Sequence, residues 1–201
     1  MDSESEEGRA RGKVGRRAFL VGAASALAGL AAWRWKSTPE VRAEAAPRPP
    51  QFVTIVRFSD AGRRLGRVRV AKVVKSEQEW RRQLSPAAFE ITRLQGTELA
   101  FTGPYWNLHA AGLYRCIDCG NALFSSQTKF ESGTGWPSFW APIAEENVTG
   151  ASDSSLGMER TEVRCTLCDA HLGHVFDDGP PPTHLRYCMN SAAFRFVPKP
   201  S

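Results

Sequence analysis

The sequence has little net charge, no apolar run as long as an ordinary transmembrane helix, and no internal repeat apart from a doubled Cys-x-x-Cys. Its formal net charge is +5, and residues 1–45 account for about two of these charges, with eight Lys or Arg against six acids. So small an excess does not indicate a nucleic-acid partner. The longest apolar run, Leu20–Ala32, is shorter than the roughly 20 residues that span a bilayer as a helix.

The composition favours one β-rich domain with an additional terminal segment. The chain has 201 residues, among them 17 Gly and 13 Pro. That length suffices for a single domain with its own core. Gly and Pro are spread along the chain, and the only long helix-compatible stretch is N-terminal, so short strands and turns are expected elsewhere.

Residues 1–45 are predicted to be a signal rather than part of the fold. Arg16 and Arg17 precede the apolar run Leu20–Ala32, and this order resembles a twin-arginine export signal. Ala43-Glu44-Ala45 offers a cleavage site, and an uncleaved membrane anchor is the alternative. Both versions imply export, to the periplasm or the outer face of the cytoplasmic membrane, with membrane contact only through this segment. Residues 46–75 then form a linker and a β-hairpin, and residues 76–201 form the main domain.

The hairpin is predicted from two β-prone runs separated by a turn. Phe52–Phe58 and Val68–Val74 are rich in β-branched and aromatic residues, and Ser59–Gly62 is a turn sequence. Several arginines accompany these runs without interleaved stacking aromatics. They are therefore interpreted as the solvated face of the hairpin rather than as an anion-binding surface.

Two short helices are predicted directly after the hairpin. Ser76 and Glu79 have the spacing of a capping box, which opens a helix through Leu84. Pro86, directly after a serine, is typical of the first position of a second helix, which Gly96 closes. The rest of the chain is predicted to be strand and loop.

Four of the five cysteines have the spacing of metal ligands. Cys116 and Cys119 form one Cys-x-x-Cys turn, and Cys165 and Cys168 form the other. Two such turns complete a closed tetrahedral thiolate site, which favours structural zinc. Two disulfides are the alternative for an exported protein, and a zinc module that binds nucleic acid is another. Cys188 remains as a single unpaired thiol.

Polar residues around Cys188 indicate a reactive thiol rather than a buried structural one. In an extended strand Arg186, Cys188 and Asn190 share one face. A nearby cation favours the thiolate and so raises nucleophilicity. His171 and His174 follow the second Cys-x-x-Cys turn closely, which makes a general acid plausible.

An aromatic loop offers a candidate pocket wall. In Gly133–Trp140, two glycines flank Thr134 and allow close approach of the backbone. Phe139 and Trp140 fit core packing, whereas Trp136 lies between Gly135 and Pro137 and is better placed to line a pocket.

Taken together, these motifs resemble the B-type methionine sulfoxide reductases, which reduce the R epimer of methionine sulfoxide. The resemblance extends from about Ser76 to the C-terminus, and the hairpin is an addition to it. Four blocks in the family's order carry it: Cys116–Gly120, Glu131–Phe139, Ala170–Gly179 and Arg186–Ser191.

The resemblance implies a fold, a reaction and a set of site residues. The fold would be mainly β, with two antiparallel sheets around a zinc-stapled core, short N-terminal helices and the added hairpin. The enzyme would be a peptide-methionine (R)-S-oxide reductase that acts on oxidised protein or peptide methionine, with a thioredoxin-like or other thiol reductant. The implied roles are Cys188 as nucleophile; His174, His171, Asn190 and Arg186 as further catalytic residues; Trp136 and Phe176 as substrate-binding residues; and Cys116, Cys119, Cys165 and Cys168 as ligands of structural Zn²⁺.

Two positions depart from the family pattern. Many members have a resolving cysteine where this chain has Thr134, so the Cys188 sulfenic acid is expected to be resolved by an external thiol. His184 stands where glycine is expected, in a Pro-rich loop predicted to lie at the surface. A binding module without catalysis, stapled by zinc or by disulfides, is the alternative function.

Overall fold

The computed structural model of the chain describes residues 49–154 and 159–200. These residues belong to the compact unit Pro49–Ser201. The predicted twin-arginine signal and its cleavage site lie outside the described residues. Within the described ranges, no helix is both long and apolar enough to cross a membrane.

Both predicted helices are present, as α1 (Glu77–Gln83) and α2 (Pro86–Leu94). The capping box forms: the Ser76 hydroxyl accepts a hydrogen bond from the Glu79 backbone N–H (3.3 Å), and the Glu79 carboxylate accepts one from the Ser76 N–H (2.7 Å). These bonds satisfy two donors that a helix N-terminus leaves without a partner. Helix α2 ends at Gln95, whose φ of 58° provides the left-handed C-cap one residue before the predicted glycine.

The described residues form two antiparallel sheets and a separate two-stranded ribbon, so the mainly β prediction is confirmed. The strand order is β5-β6-β10-β9-β8-β7 in the larger sheet, β11-β3-β4 in the smaller sheet, and β1-β2 in the ribbon. The strands are β1 (Phe52–Phe58), β2 (Arg64–Ala71), β3 (Gly112–Cys116), β4 (Ala122–Ser125), β5 (Lys129–Phe130), β6 (Ser138–Phe139), β7 (Val148–Asp153), β8 (Arg160–Cys165), β9 (His171–Phe176), β10 (Arg186–Met189) and β11 (Phe194–Pro198).

An aromatic cluster joins the two larger sheets. Phe124 of the smaller sheet stacks on Phe139 of the larger one, with ring centroids 4.5 Å apart. Tyr114 meets the same Phe139 edge-on at 4.9 Å, and Tyr187 of β10 packs against Phe124 at 5.6 Å. Burial of each such ring contributes about 2 kcal/mol. The cluster therefore fixes β6 and β10, the strands that carry the site described below, against the core.

The hairpin is present, but its second strand begins and ends earlier than the sequence predicts. It spans Arg64–Ala71 instead of Val68–Val74. The ladder reaches up to the turn, where Phe58 pairs with Arg64. It ends early because the chain turns towards the second cysteine turn, where the Val73 N–H donates to the Leu167 carbonyl at 2.8 Å. Pairing partners, rather than β-branched content, decide these bounds.

A buried asparagine helps to attach the hairpin to the core. Asn147 is fully buried. Its side chain accepts a hydrogen bond from the Val56 N–H (2.7 Å) and donates to the carbonyls of Val56 (2.8 Å) and Ala122 (2.7 Å). The edge of β1 is thereby satisfied by a side chain where no further strand pairs with it.

Candidate active site

The four cysteines predicted to bind metal come together. Their sulfur atoms all lie within 4.8 Å of one another. Cys116 and Cys168 are 3.6 Å apart at Sγ, as are Cys119 and Cys165. Four thiolates about 2.3 Å from a tetrahedral ion have sulfurs roughly 3.8 Å apart, whereas a disulfide bond is about 2.05 Å long. The donor set and its spacing therefore fit zinc.

Local backbone geometry explains why both cysteine turns take the same shape. The Gly120 N–H donates to the Cys116 carbonyl, and the Asp169 N–H donates to the Cys165 carbonyl, both at 2.9 Å. Gly120 and Asp169 have φ of 77° and 56°, the left-handed conformation that closes each turn. The two turns are 45 residues apart and follow β3 and β8, which lie in different sheets, so the four-sulfur site joins the two sheets.

A second polar site runs across one face of the larger sheet. Cys188 of β10 lies directly opposite Ser138 of β6 on one side and His174 of β9 on the other. His174 in turn lies opposite Glu162 of β8. Directly paired residues in an antiparallel sheet point to the same face, with Cβ atoms about 5 Å apart. The sheet therefore aligns a thiol, an imidazole and a carboxylate.

Hydroxyl groups reach Cys188 from the loop before β6. The Thr134 hydroxyl lies 3.9 Å from the Cys188 sulfur. Behind it, the Ser132 hydroxyl lies 2.8 Å from that of Thr134 and 2.7 Å from that of Ser138. The sequence predicted a role for the aromatic residues of this loop but none for Ser132 and Ser138. Their presence inside the Glu131–Phe139 motif was the available signal.

Arg186 lies on the Cys188 face as predicted, but its charge is shared. Its guanidinium makes two 2.8 Å bonds to the Asp178 carboxylate and lies over the Phe176 ring, 4.4 Å from the centroid. Burial raises the pKa of Cys188 above its ordinary value, and Arg186, Thr134 and Ser138 oppose that rise. The expectation that the cation makes a ready thiolate is therefore only partly met, because Asp178 and burial work against it.

His174 is held by an acid at the end of β7, in the same sheet. Its Nε2 lies 2.7 Å from Oδ2 of Asp153, and Nη2 of Arg160 lies 2.8 Å from the same oxygen. Asp153 ends β7 and Arg160 begins β8. This carboxylate fixes the orientation of the imidazole next to Cys188.

His171 has a different environment from His174, although their ring centroids are only 5.4 Å apart. It is buried, and its Nδ1 lies 2.7 Å from the Glu162 carboxylate. Burial lowers the pKa of His171, so the ring is neutral at pH 7, and Nδ1–H donates to the acid. Burial alone would raise the pKa of Glu162, but the hydrogen bonds from Arg164 and His171 lower it below its ordinary value.

The predicted strand through Cys188 is shorter than expected, which changes the place of Asn190. Strand β10 ends at Met189, so Asn190 does not continue the polar row. Its side chain is buried, donates to the Leu172 carbonyl (3.1 Å) and accepts from the Glu98 N–H (3.0 Å). The strand stops because the Glu98 carboxylate accepts hydrogen bonds from the N–H groups of Ser191 and Ala192, where the chain bends into a 3₁₀ turn (Ser191–Ala193).

The loop that contains Glu98 also holds Trp136 in place. Its indole Nε1–H donates to the Glu98 carbonyl at 3.0 Å. The Phe101 N–H donates to the Gly135 carbonyl at 2.8 Å, so the loop containing Glu98 is held against the turn that carries Trp136. Outside this group, His184 is exposed with a φ of 60°, in agreement with a surface loop and with a position that suits glycine.

A thiol aligned with two carboxylate-bound histidines, beside a separate four-sulfur site suited to a metal, fits the class of oxidoreductases that use a reactive cysteine. Residues 84–198 match the family model described as SelR domain. The chain is 57% identical to the peptide methionine sulfoxide reductase MsrB of Hahella chejuensis over 125 residues, which is 62% of this chain and 90% of that relative. For the protein of the same name from Thiobacillus denitrificans, the values are 57%, 62% and 95%.

The MsrB of a Synechococcus strain is 58% identical over 63% of this chain and 93% of its own length. This chain therefore belongs to the SelR-domain family of MsrB proteins, and it is an oxidoreductase of that type. The family resemblance and the enzyme class predicted from the sequence motifs are confirmed.

Proposed function

We propose that this protein reduces methionine-R-sulfoxide in peptides or proteins to methionine, with Cys188 as the nucleophile. The observation that carries the proposal is the position of Cys188. It is the one cysteine outside the four-sulfur cluster, and it lies directly opposite His174 in the sheet. The names of the relatives supply the reaction type, and the site supplies a thiol and a proton donor in register.

In the first step the Cys188 thiolate attacks the sulfoxide sulfur. His174, oriented by Asp153, supplies a proton to the sulfoxide oxygen so that negative charge does not accumulate there. The sulfur–oxygen bond of the substrate breaks, and methionine leaves, reduced by two electrons. The oxygen passes to the Cys188 sulfur as the transient bond between the two sulfurs breaks, so Cys188 is oxidised to a sulfenic acid that carries this oxygen as its hydroxyl group.

An external thiol then resolves the sulfenic acid. The side chain near Cys188 on the loop before β6 is the Thr134 hydroxyl, 3.9 Å away, and it cannot form a disulfide. The other four cysteines are grouped with one another. A reductant thiol therefore attacks Cys188 and releases water, and a second thiol frees Cys188 as a disulfide of the reductant forms. A thioredoxin-like protein fits this requirement.

Other side chains bind the substrate and hold the frame. Trp136 and Phe176 are the proposed contacts for the methyl and side-chain carbons of the substrate. His171, Arg186 and Asn190 shape the polar side of the site. Zinc bound by the four cysteines would cross-link the two sheets and take no part in the reaction.

The test is turnover of separated R and S epimers of a blocked methionine sulfoxide, with dithiothreitol as reductant. We expect reduction of the R epimer alone by the wild type and none by Cys188→Ser. Metal content and a thermal transition equal to those of the wild type would show that Cys188→Ser has lost only the thiol. Absence of turnover in folded, metal-loaded protein would favour a binding module without catalysis.

We also propose export by the twin-arginine route, on the basis of Arg16 and Arg17 ahead of the run Leu20–Ala32. Fractionation of cells that express the wild type or an Arg16→Lys, Arg17→Lys double variant tests this. The wild type should reach the periplasmic side, and the variant should stay in the cytoplasm. Equal distribution of the two proteins would refute the route.

A further inference from the structure

The hairpin is strongly basic, whereas the domain that follows it carries an excess of acids. The segment Phe52–Lys75 carries seven Arg or Lys and one acid, whereas residues 76–201 carry ten Arg or Lys and fourteen Asp or Glu. The hairpin also lies outside the residues that match the family model. Its charge is therefore not explained by the reductase domain, and such an asymmetry points to a partner of opposite sign.

The strand register collects this charge on one face. Arg69 lies opposite Thr54, Arg67 opposite Val56, and Arg64 opposite Phe58. Residues paired in this way point to the same side, so the three arginines lie in a row. All three are exposed. Among the described residues only Arg67 of this row has an acidic partner, Glu146 at 2.9 Å.

Apolar side chains accompany the arginines on the surface. Phe52 and Leu65 are each 53% exposed. Phe52 shares the face of Arg69, whose guanidinium carbon lies 5.2 Å from the ring centroid. A surface that combines cations with exposed Phe and Leu is typical of segments that lie in the headgroup region of a bilayer. It is less suited to nucleic acid, because a single aromatic ring provides no stacking platform.

The position of the hairpin in the sequence favours the same partner. The apolar run Leu20–Ala32 precedes it, and residues 33–51 are the whole connection. One weak apolar anchor binds a membrane only marginally, and a basic surface next to it supplies the second contact needed for stable attachment.

In contrast to the interpretation of these arginines as a merely solvated face, we infer that the exposed row of Arg64, Arg67 and Arg69, together with Phe52, docks on a bilayer of anionic phospholipid. The cations bind lipid phosphates, and the Phe52 ring enters the headgroup region. The reductase site lies in the other sheet system, so docking holds the enzyme at the membrane without using its catalytic residues. The inference concerns a surface that the proposed reaction does not need.

The test is flotation of the full chain with vesicles of phosphatidylcholine alone or mixed with phosphatidylglycerol. A triple variant, Arg64→Gln, Arg67→Gln and Arg69→Gln, is compared with a matched control, Arg81→Gln, Arg82→Gln and Arg195→Gln, whose three cations are exposed outside the hairpin. All proteins keep the same N-terminal apolar run, so a difference between them reports the arginines. Unchanged sulfoxide reduction and metal content would verify that each variant is folded.

Each cation near an anionic surface is worth about fivefold in partitioning, so the triple variant should bind anionic vesicles on the order of a hundredfold more weakly. The control should match the wild type, and high salt should remove the difference. A Phe52→Ser variant should also bind more weakly. Equal binding of the triple variant and the wild type would overturn the inference. So would arginine-dependent binding to duplex DNA without any preference for anionic over neutral vesicles.

Discussion

Glu98 is the residue whose removal tests the construction of the site most directly. Its carboxylate accepts hydrogen bonds from the N–H groups of Ser191 (2.7 Å) and Ala192 (3.0 Å), just after Cys188 in sequence. Its backbone carbonyl accepts the indole N–H of Trp136. The same residue therefore ties the segment after the nucleophile to the proposed substrate-binding ring. Gly103 packs closely against the side chains of Ser191 and Glu98, and a Cβ at this position would collide with both.

The magnitude for Glu98→Ala follows from the two donors left behind. Ser191 is almost fully buried, so its N–H loses a charged acceptor with little access to water. A buried donor without a partner costs about 1–3 kcal/mol, which gives about 2–6 kcal/mol for the pair. Glu98→Gln keeps one acceptor oxygen and should cost roughly half as much. Displacement of Trp136 and of the turn after Cys188 by about 1 Å should lower kcat/KM by up to a hundredfold.

Urea denaturation measures the first effect, and steady-state reduction of a methionine-R-sulfoxide peptide measures the second. Glu90→Ala is the matched control, because Glu90 is exposed on α2 and its loss should change the free energy of unfolding by less than about 0.5 kcal/mol. If Glu98→Ala were as stable and as active as the control, the carboxylate would not hold the turn, and the account of why β10 ends at Met189 would be wrong.

Two further predictions concern the thiol and the metal site. Because burial raises the pKa of Cys188 and Arg186 opposes the rise, alkylation of Cys188 by iodoacetamide should speed up with pH above the range of an ordinary thiol, and Arg186→Gln should move the profile to still higher pH; an unchanged profile would contradict the role of Arg186. Metal analysis should find one zinc per chain, retained in Cys188→Ser. Chelation should remove on the order of 10 kcal/mol of stabilisation, comparable to the stability of a whole domain, and a thermal scan that shows no change after complete metal removal would refute a structural zinc.

Local patterns were enough for the parts of the fold in which interactions stay close in sequence. The capping box at Ser76 and Glu79 and the proline at the start of α2 predicted both helices, because a helix start is satisfied by residues three positions away. Each Cys-x-x-Cys turn is local in the same way. The predicted bounds of β2 and β10 were wrong, because a strand ends where it loses its pairing strand or where a side chain distant in sequence binds its backbone.

The sequence by itself determined the β-rich class, the two cysteine turns and the family motifs around Cys188, since these depend on residue type and short spacing. Only the tertiary structure decided which acids hold the two histidines, that Asp178 shares the charge of Arg186, and that Glu98 ends the strand behind the nucleophile. Each of these partners is separated in sequence from the group it binds, by 21 residues for Asp153 and His174 and by 93 for Glu98 and Ser191. The electrostatic balance at Cys188 therefore depends on sheet register and burial, which arise only when the strands have assembled.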